Sequence, residues 1–332
     1  MADINIKDVA ERAGVSTMTV TRTINNPELV KESTRLKVQQ VIRELGYFPD
    51  RTAVALRSGK TKTIGISLFD IENPFLSKLV MQMDRRLQKL GYSVLLSFVN
   101  EETSDDYDIY ARLKQFNVDL SIFIPIQHSK FVENLSPEAA SKCLQLFRMG
   151  YSGMDAFVVD DIYGAYLATK HLLENGHERI LLIDYSQRMP MYRDRGYYRA
   201  FQEFGIAYDE DMVLGLKEFS DEELAPKIRQ TILEKKPTAI LAVTQKLCEA
   251  CITVIKDLKL KIYDDISIIG YDDSVLAKHL GITTITHPFD EMIERMVQWT
   301  IERISDNSSA EVSHIRIKPY LQIRNSVKNI SK

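Results

Sequence analysis

The chain has 332 residues, enough for two or three domains. Hydrophobic residues make up 45% and charged residues 27%, the balance of a globular protein rather than a disordered or membrane-embedded one. The net charge of −3 hides an asymmetry: residues 1–60 hold 10 Lys+Arg against 7 Asp+Glu, and the remainder holds 33 against 39. A mildly basic head on an acidic body suits phosphate contact at one end only. No apolar run approaches a bilayer span, so no membrane partner is expected. The N-terminus MADINIKD lacks a basic stretch followed by an apolar block, so no secretory leader is expected either. Cys143, Cys248 and Cys251 are odd in number; the Cys248/Cys251 spacing lies in an apolar helical pattern without a second pair, which predicts packing rather than a metal or redox site.

Residues 6–26 read as two short helices joined by a tight turn. Ile6, Val9, Ala10 and Ala13 fall at helical spacing, and Gly14 follows where a left-handed residue ends a helix. Ser16 stands where a capping residue starts the second helix, with Val20 and Ile24 as its buried side. Thr17, Met18, Thr19, Thr21 and Arg22 then face outward. Hydroxyls, a thioether and one arginine suit a major groove, where arginine pairs with guanine and apolar groups meet the thymine methyl; an ordinary helical hairpin is the alternative. Asn26-Pro27 ends this helix, and Ser33-Thr34 begins a third with Leu36, Val38, Val41, Ile42 and Leu45 on one side.

From Thr63 strands alternate with helices. KTIGISLF, SVLLSFV, DLSIFIPI, residues 142–147 and residues 157–159 read as strands, with helices at 75–90 and 104–116. The pattern restarts with helices at 162–174, 192–204, 222–235 and 246–258 around strands ERILLIDY, TAILAVT and ISIIGYD. It closes on a helix at 290–304 and two strands, HIRIKP and YLQIR. This repetition predicts two α/β lobes with parallel sheets.

The order VAERAGVS, TVTR, INN, LGYFP, ALRSGKTKTIG resembles the DNA-binding head and hinge of the lactose-repressor (LacI/GalR) family of bacterial transcription regulators. DIENPF, VVDDIYGAYLATKHLLENGHERI, RDRGYYRAF, PTAILAV, ISIIGYDDS, ITTITHP and IRNS continue the likeness in the family's order. The resemblance implies an all-α helix-turn-helix head with a hinge helix, and an α/β body of two Rossmann-like lobes of the periplasmic-binding-protein type I kind, joined by three crossovers. The head is expected at 1–46, the hinge helix and linker at 47–60, and the effector-binding and dimerisation body at 61–332. Within the body, the first lobe takes about 61–160 plus 290–322 and the second about 161–289 plus 323–332. The implied partners are a pseudo-palindromic double-stranded operator, a small-molecule effector such as a sugar or sugar derivative, and a second copy of the chain. The implied location is the bacterial cytoplasm, at the nucleoid.

Thr17, Met18 and Arg22 are the expected base readers, and the resemblance adds Leu56 as a minor-groove wedge. Ser16, Thr19, Thr21 and Asn25 are the expected phosphate contacts. Asp50, Val54 and Ala55 depart from the family's habitual hinge residues.

In open α/β sheets ligands bind beyond the carboxyl ends of strands. Asp70 follows the first body strand and Asp272 follows ISIIGY, so both are candidate acceptors, with helix capping as the alternative. Arg193 offers a donor fork and Phe75 a ring face, with core packing as the alternative for Phe75. By resemblance Asp272, Arg193 and Phe75 match effector-contacting positions. Thr244 and Arg148 stand where relatives usually carry other cleft residues, and Arg148 suits an anionic ligand. No GxG, no GxxxxGK[ST] and no paired-histidine metal spacing occurs, and Gly150-Tyr151-Ser152-Gly153 misses the nucleophile elbow by one residue. No enzyme activity, metal or cofactor is expected. A body controlled by a phosphorylated carrier protein, or a ligand-binding protein without DNA function, remain as alternatives.

Overall fold

The computed structural model describes residues 4–48, 59–100, 103–185, 192–216, 221–305 and 311–331. The chain separates into two compact units, residues 1–61 and 62–332.

The first unit packs α1 (Ile6–Ala13), α2 (Thr17–Asn25) and α3 (Glu32–Leu45) around one small core. Val9, Ala10, Ala13, Val20, Val38 and Val41 fill it, with Ile6, Ile24, Ile42 and Leu45 at its margin. Asn5 and Asp8 form a reciprocal capping box at the start of α1. Gly14 ends that helix at φ 63°, and its amide returns to the carbonyls of Ala10 and Glu11. Two expectations are corrected. Leu36 is 53% exposed and lies off the core face, while Thr23 of α2 is buried, its hydroxyl donating to the Thr19 carbonyl. The third helix starts at Glu32 without a side-chain cap rather than at Ser33-Thr34. Most of the expected hinge, including Asp50, Val54, Ala55 and Leu56, lies outside the described residues.

The second unit contains two six-stranded sheets among the described residues. The first has the order β11 (His314–Ile317), β5 (Asp155–Val159), β4 (Cys143–Phe147), β3 (Leu120–Phe123), β1 (Thr63–Leu68), β2 (Ser93–Phe98), all parallel. The second has β12 (Tyr320–Gln322), β10 (Thr283–Thr286), β9 (Ser267–Tyr271), β8 (Ala239–Ala242), β6 (Ile180–Tyr185), β7 (Val213–Leu216), with only β12 antiparallel. Inner strands such as β1, β8 and β9 are buried on both faces, which is why they read as apolar runs. The strands β7 and β10 are additions to the sequence reading. Both are short, and Thr283–Thr286 shows no apolar alternation.

The chain passes between the sheets after β5, after β10 and after β11. The return segment, expected in the first lobe as far as residue 322, ends sooner: β11 pairs with β5, but Tyr320–Gln322 pairs with β10 of the second sheet. The helix Phe289–Ser305 packs back on the first lobe, where Arg303 clamps Asp155 through Nε at 2.6 Å and Nη2 at 2.9 Å and Trp299 Nε1 donates to the same carboxylate. Cys143, Cys248 and Cys251 are free and buried; burial pushes the Cys248 thiol up to about 12, consistent with packing.

Candidate DNA-reading helix and ligand cleft

In the head, Ser16 Oγ accepts the Thr19 amide at 3.2 Å and sits 3.0 Å from the Thr19 hydroxyl. The Thr21 hydroxyl donates to the Thr17 carbonyl at 3.0 Å. Each of these three hydroxyls thus makes a hydrogen bond within its own helix and keeps capacity for one more. Thr17, Met18 and Arg22 stay exposed on its outer side, Met18 at 62%. The side chain of Asn25 lies outside the described residues.

In the body, the helix Arg193–Phe204 packs tightly on the helix Asp161–Glu174. That places Arg193, at the first turn of one, against Asp161, at the first turn of the other. Arg193 Nε and Nη2 each lie 2.7 Å from Asp161 Oδ1, its Nη1 donates to the Val243 carbonyl, and its guanidinium covers the Tyr271 ring at 4.2 Å. Burial works against this charge, but Asp161, Tyr271 and Asp272 outweigh it and hold the guanidinium above its ordinary value.

Asp272 follows β9 with φ 59° and is not a helix cap, since Ser274 Oγ caps the next helix by accepting the Ala277 amide. Burial raises its carboxyl to about 6, with Arg193 opposing and Asp161 adding to the rise. His287, following β10, stands 3.7 Å from Asp272 Oδ1; burial and Arg193 push its imidazole down to about 4. The His287 ring meets the Phe75 ring at 5.5 Å, and Phe75 also touches Phe147 at 5.5 Å and Phe289 at 5.7 Å. Phe75 thus packs on the first-lobe core and presents to the crossover at once.

Arg148 follows β4, 6% exposed, with Nη1 donating to the Pro125 carbonyl at 3.3 Å and the guanidinium 5.5 Å from the Phe69 ring. Burial raises the Asp161 carboxyl, and the charges of Arg193 and, more weakly, Arg148 oppose that rise. Phe69, Arg148, Asp161, Arg193, Asp272, His287 and Phe75 all lie in segments that follow strands of the two sheets. Asp70 and Thr244 serve the backbone instead. Asp70 Oδ1 accepts the amides of Glu72 and Asn73, closing the turn before the helix Pro74–Lys89. Thr244 caps the helix Gln245–Asp257 by accepting the Leu247 amide at 3.2 Å.

Sequence reasoning missed Asp161, Tyr271, His287, Phe147 and Phe69. Asp161 carried the same signal as Asp70 and Asp272, a carboxylate just past a strand. His287 did not, because the strand before it went unassigned.

A compact helix-turn-helix head and a two-lobed α/β body, with a charged series along the strand ends, define a DNA-binding regulator with a periplasmic-binding-protein-like body. Residues 5–50 match the bacterial regulatory proteins of the lacI family, and residues 169–327 match the periplasmic binding protein-like domain. The transcriptional regulator DegA of Bacillus subtilis is 34% identical, over 86% of this chain and 87% of its own. The transcriptional repressor PurR of Vibrio campbellii is 30% identical, over 98% and 99%. The Lac repressor dimer, solved with operator and the anti-inducer ONPF, matches with a TM-score of 0.76 at 23% identity, over 97% and 98%.

The chain belongs to the lacI family of bacterial regulators: it is a DNA-binding transcriptional repressor and not an enzyme. The reading of a ligand-binding protein without DNA function is overturned by the same matches. No helix among the described residues is long and apolar enough to cross a membrane.

Proposed function

We propose that the protein is a cytoplasmic homodimer that represses a carbohydrate-utilisation operon, and that a small molecule held between the lobes sets its operator affinity. The observation that carries the DNA half is the outward display of Thr17, Met18 and Arg22 on a helix capped by Ser16. Thr17, Met18 and Arg22 read bases, Met18 favouring a thymine methyl because it has no donor. Ser16, Thr19, Thr21 and Asn25 line phosphates, and Leu56 wedges the minor groove. One head reads few base pairs, so two heads related by a twofold axis read a pseudo-palindrome.

Apolar side chains left on the body support a second copy. Leu96 and Phe98 lie exposed on the edge strand β2, and Val275, Leu276 and Leu280 on and beside the short helix Val275–His279. The ligand half rests on Asp272, an acceptor at a strand end, with the Arg193–Asp161 pair behind it and the Phe75 ring nearby, a set suited to hydroxyl-rich molecules. Ligand closure of the lobes couples to the operator by about 1–3 kcal/mol, with either sign open.

Selection of duplexes from a random pool by the purified protein, followed by sedimentation, tests the reading. A palindromic consensus bound by a dimer supports it, and a monomer with no preference over random duplex refutes it.

A further inference from the structure

We propose that Asp272 and His287 together hold a single hydroxyl group of the ligand, so that His287 helps decide which sugar the cleft accepts; this rests on the small-molecule reading above. The geometry begins at the backbone. The pairing of β9 with β10 runs as far as Tyr271 beside Ile285. Asp272, the next residue, sends its amide to the Ile285 carbonyl at 2.9 Å and turns with φ 59°, a conformation that aspartate tolerates better than most residues. His287 comes two residues after Ile285. The two side chains thus leave neighbouring strand ends, and Asp272 Oδ1 stands 3.7 Å from His287 Nε2. That separation is too long for a hydrogen bond.

The imidazole is held in place and unsatisfied. His287 is 6% exposed, and the Phe75 ring meets it at 5.5 Å and 63°, edge to face. Its Nδ1 is enclosed and has no hydrogen-bond partner among the described residues. Burial keeps the ring neutral near neutral pH, so it carries one proton. A proton on Nδ1 would be a buried donor with nothing to receive it, and an orphaned N–H is rarer in proteins than an unpaired acceptor. A proton on Nε2 faces the Asp272 carboxylate instead. The site therefore offers a donor, Nε2–H, beside an acceptor, Oδ1, and the two do not satisfy each other. Arg193 lends Asp272 its charge but hydrogen-bonds Asp161 and the Val243 carbonyl.

One oxygen about 2.8 Å from both atoms completes a triangle on that 3.7 Å base. A hydroxyl fits there, because it accepts from Nε2–H and donates to Oδ1 at once. The Asp272 side chain keeps 18% of its surface open, which leaves room for the approach. A fluorine or an ether oxygen accepts only, and an ammonium donates only, so each leaves one of the two groups unpaired. A site whose buried polar groups go unpaired with the wrong ligand discriminates strongly.

The test uses the full-length protein and a panel of neutral sugars: glucose, galactose, mannose, xylose, arabinose, ribose, fructose, maltose and cellobiose. Thermal shift finds binders, because a ligand of the folded state raises the midpoint by mass action. Calorimetry then compares the tightest binder with its deoxy and deoxyfluoro analogues, one hydroxyl at a time. Removal of one particular hydroxyl is expected to weaken binding about tenfold or more, and fluorine at that position is expected not to restore it. In His287→Leu the same removal is expected to weaken binding at least about three times less than in wild type, since the hydroxyl has already lost one partner. His287→Gln, whose amide keeps a donor, is expected to return the wild-type pattern.

Analogues that all bind as the parent sugar does would overturn the shared hydroxyl while leaving the cleft reading standing. An equal penalty in wild type and His287→Leu would overturn the role of His287. Fluorine restoring the affinity in wild type would overturn the proposal without any variant. No sugar binding at all would refute both readings. His287→Met, which also lacks an N–H donor, replaces His287→Leu if that protein fails to fold.

Discussion

Arg193 and Asp161 form a buried ion pair in which Nε and Nη2 both lie 2.7 Å from one carboxylate oxygen, with the Val243 carbonyl taking the remaining arm. Removing one partner of such a pair strands the other charge in a low-dielectric site, at a cost of about 3–5 kcal/mol. Asp161→Ala is therefore expected to lower the unfolding free energy by about that amount in urea titration. A loss under about 1 kcal/mol, the size of an exposed pair, would show that water reaches the site.

The packing that brings these two residues together depends on Gly196. A Cβ there would lie 2.7 Å from the Tyr166 amide nitrogen and 2.9 Å from Ala165 Cβ, and against the Ile162 carbonyl. Two of those three atoms are backbone, which cannot rotate away. Gly196→Ala is expected to push the helices apart and cost about 1–3 kcal/mol, the usual range for overpacking. Weakened ligand binding should accompany it, because Arg193 begins one of the two helices. Unchanged stability in chemical denaturation would contradict the close approach.

His287 and Asp272 make opposing contributions to stability below neutral pH. The folded imidazole titrates at about 4, below its ordinary value, so its contribution is present above about 6.5 and lost as pH falls toward 4. The Asp272 carboxyl is raised to about 6, so its contribution is present below its ordinary value and lost as pH rises through 6. Replacing His287 by Gln removes the first and leaves the second. The stability of His287→Gln relative to wild type should rise steadily as pH falls from 6.5 to 4 in urea titrations. Parallel curves would mean that His287 is not desolvated.

Arg22 is exposed on the outer side of the second head helix. Arg22→Ala is expected to weaken binding to the selected palindrome by about 1–3 kcal/mol and to relax choice at one base pair. Anisotropy titrations against single-substituted duplexes check this. A uniform loss across all sequences would make Arg22 a phosphate anchor.

Ser16 works locally, since its Oγ accepts the Thr19 amide. Ser16→Ala should destabilise the head by about 1 kcal/mol, as loss of an N-cap does. Melting of the head, followed by the amide signals of α2, reads it out, and an unchanged midpoint would rule out the cap.

Much of this was legible in the residues themselves. The spacing of Val9, Ala10, Ala13 and Val20, the glycine at 14 and the cap at Ser16 determine the head, because helix periodicity and end chemistry are local properties. The apolar runs of β1, β8 and β9 announce parallel strands buried on both faces for a similar reason. Leu36 was misjudged because a helix of apolar period offers more apolar residues than a core this small can cover.

The cleft was a different matter. Asp70, Thr244 and Asp272 carry one signal in sequence, a polar residue just past a strand, yet two of them close turns or caps and the third faces Arg193 and His287. That division depends on where the neighbouring backbone amides point. Asp161, Arg193, Asp272 and His287 lie up to 126 residues apart, and only the pairing of helices and the return of β10 bring them into one electrostatic series. Sequence alone settled the head and most of the helices and strands, though not β7 and β10, because those choices are made within a few residues. Tertiary structure settled which charged groups share a site, because desolvation and Coulomb interaction depend on distance through space and not along the chain.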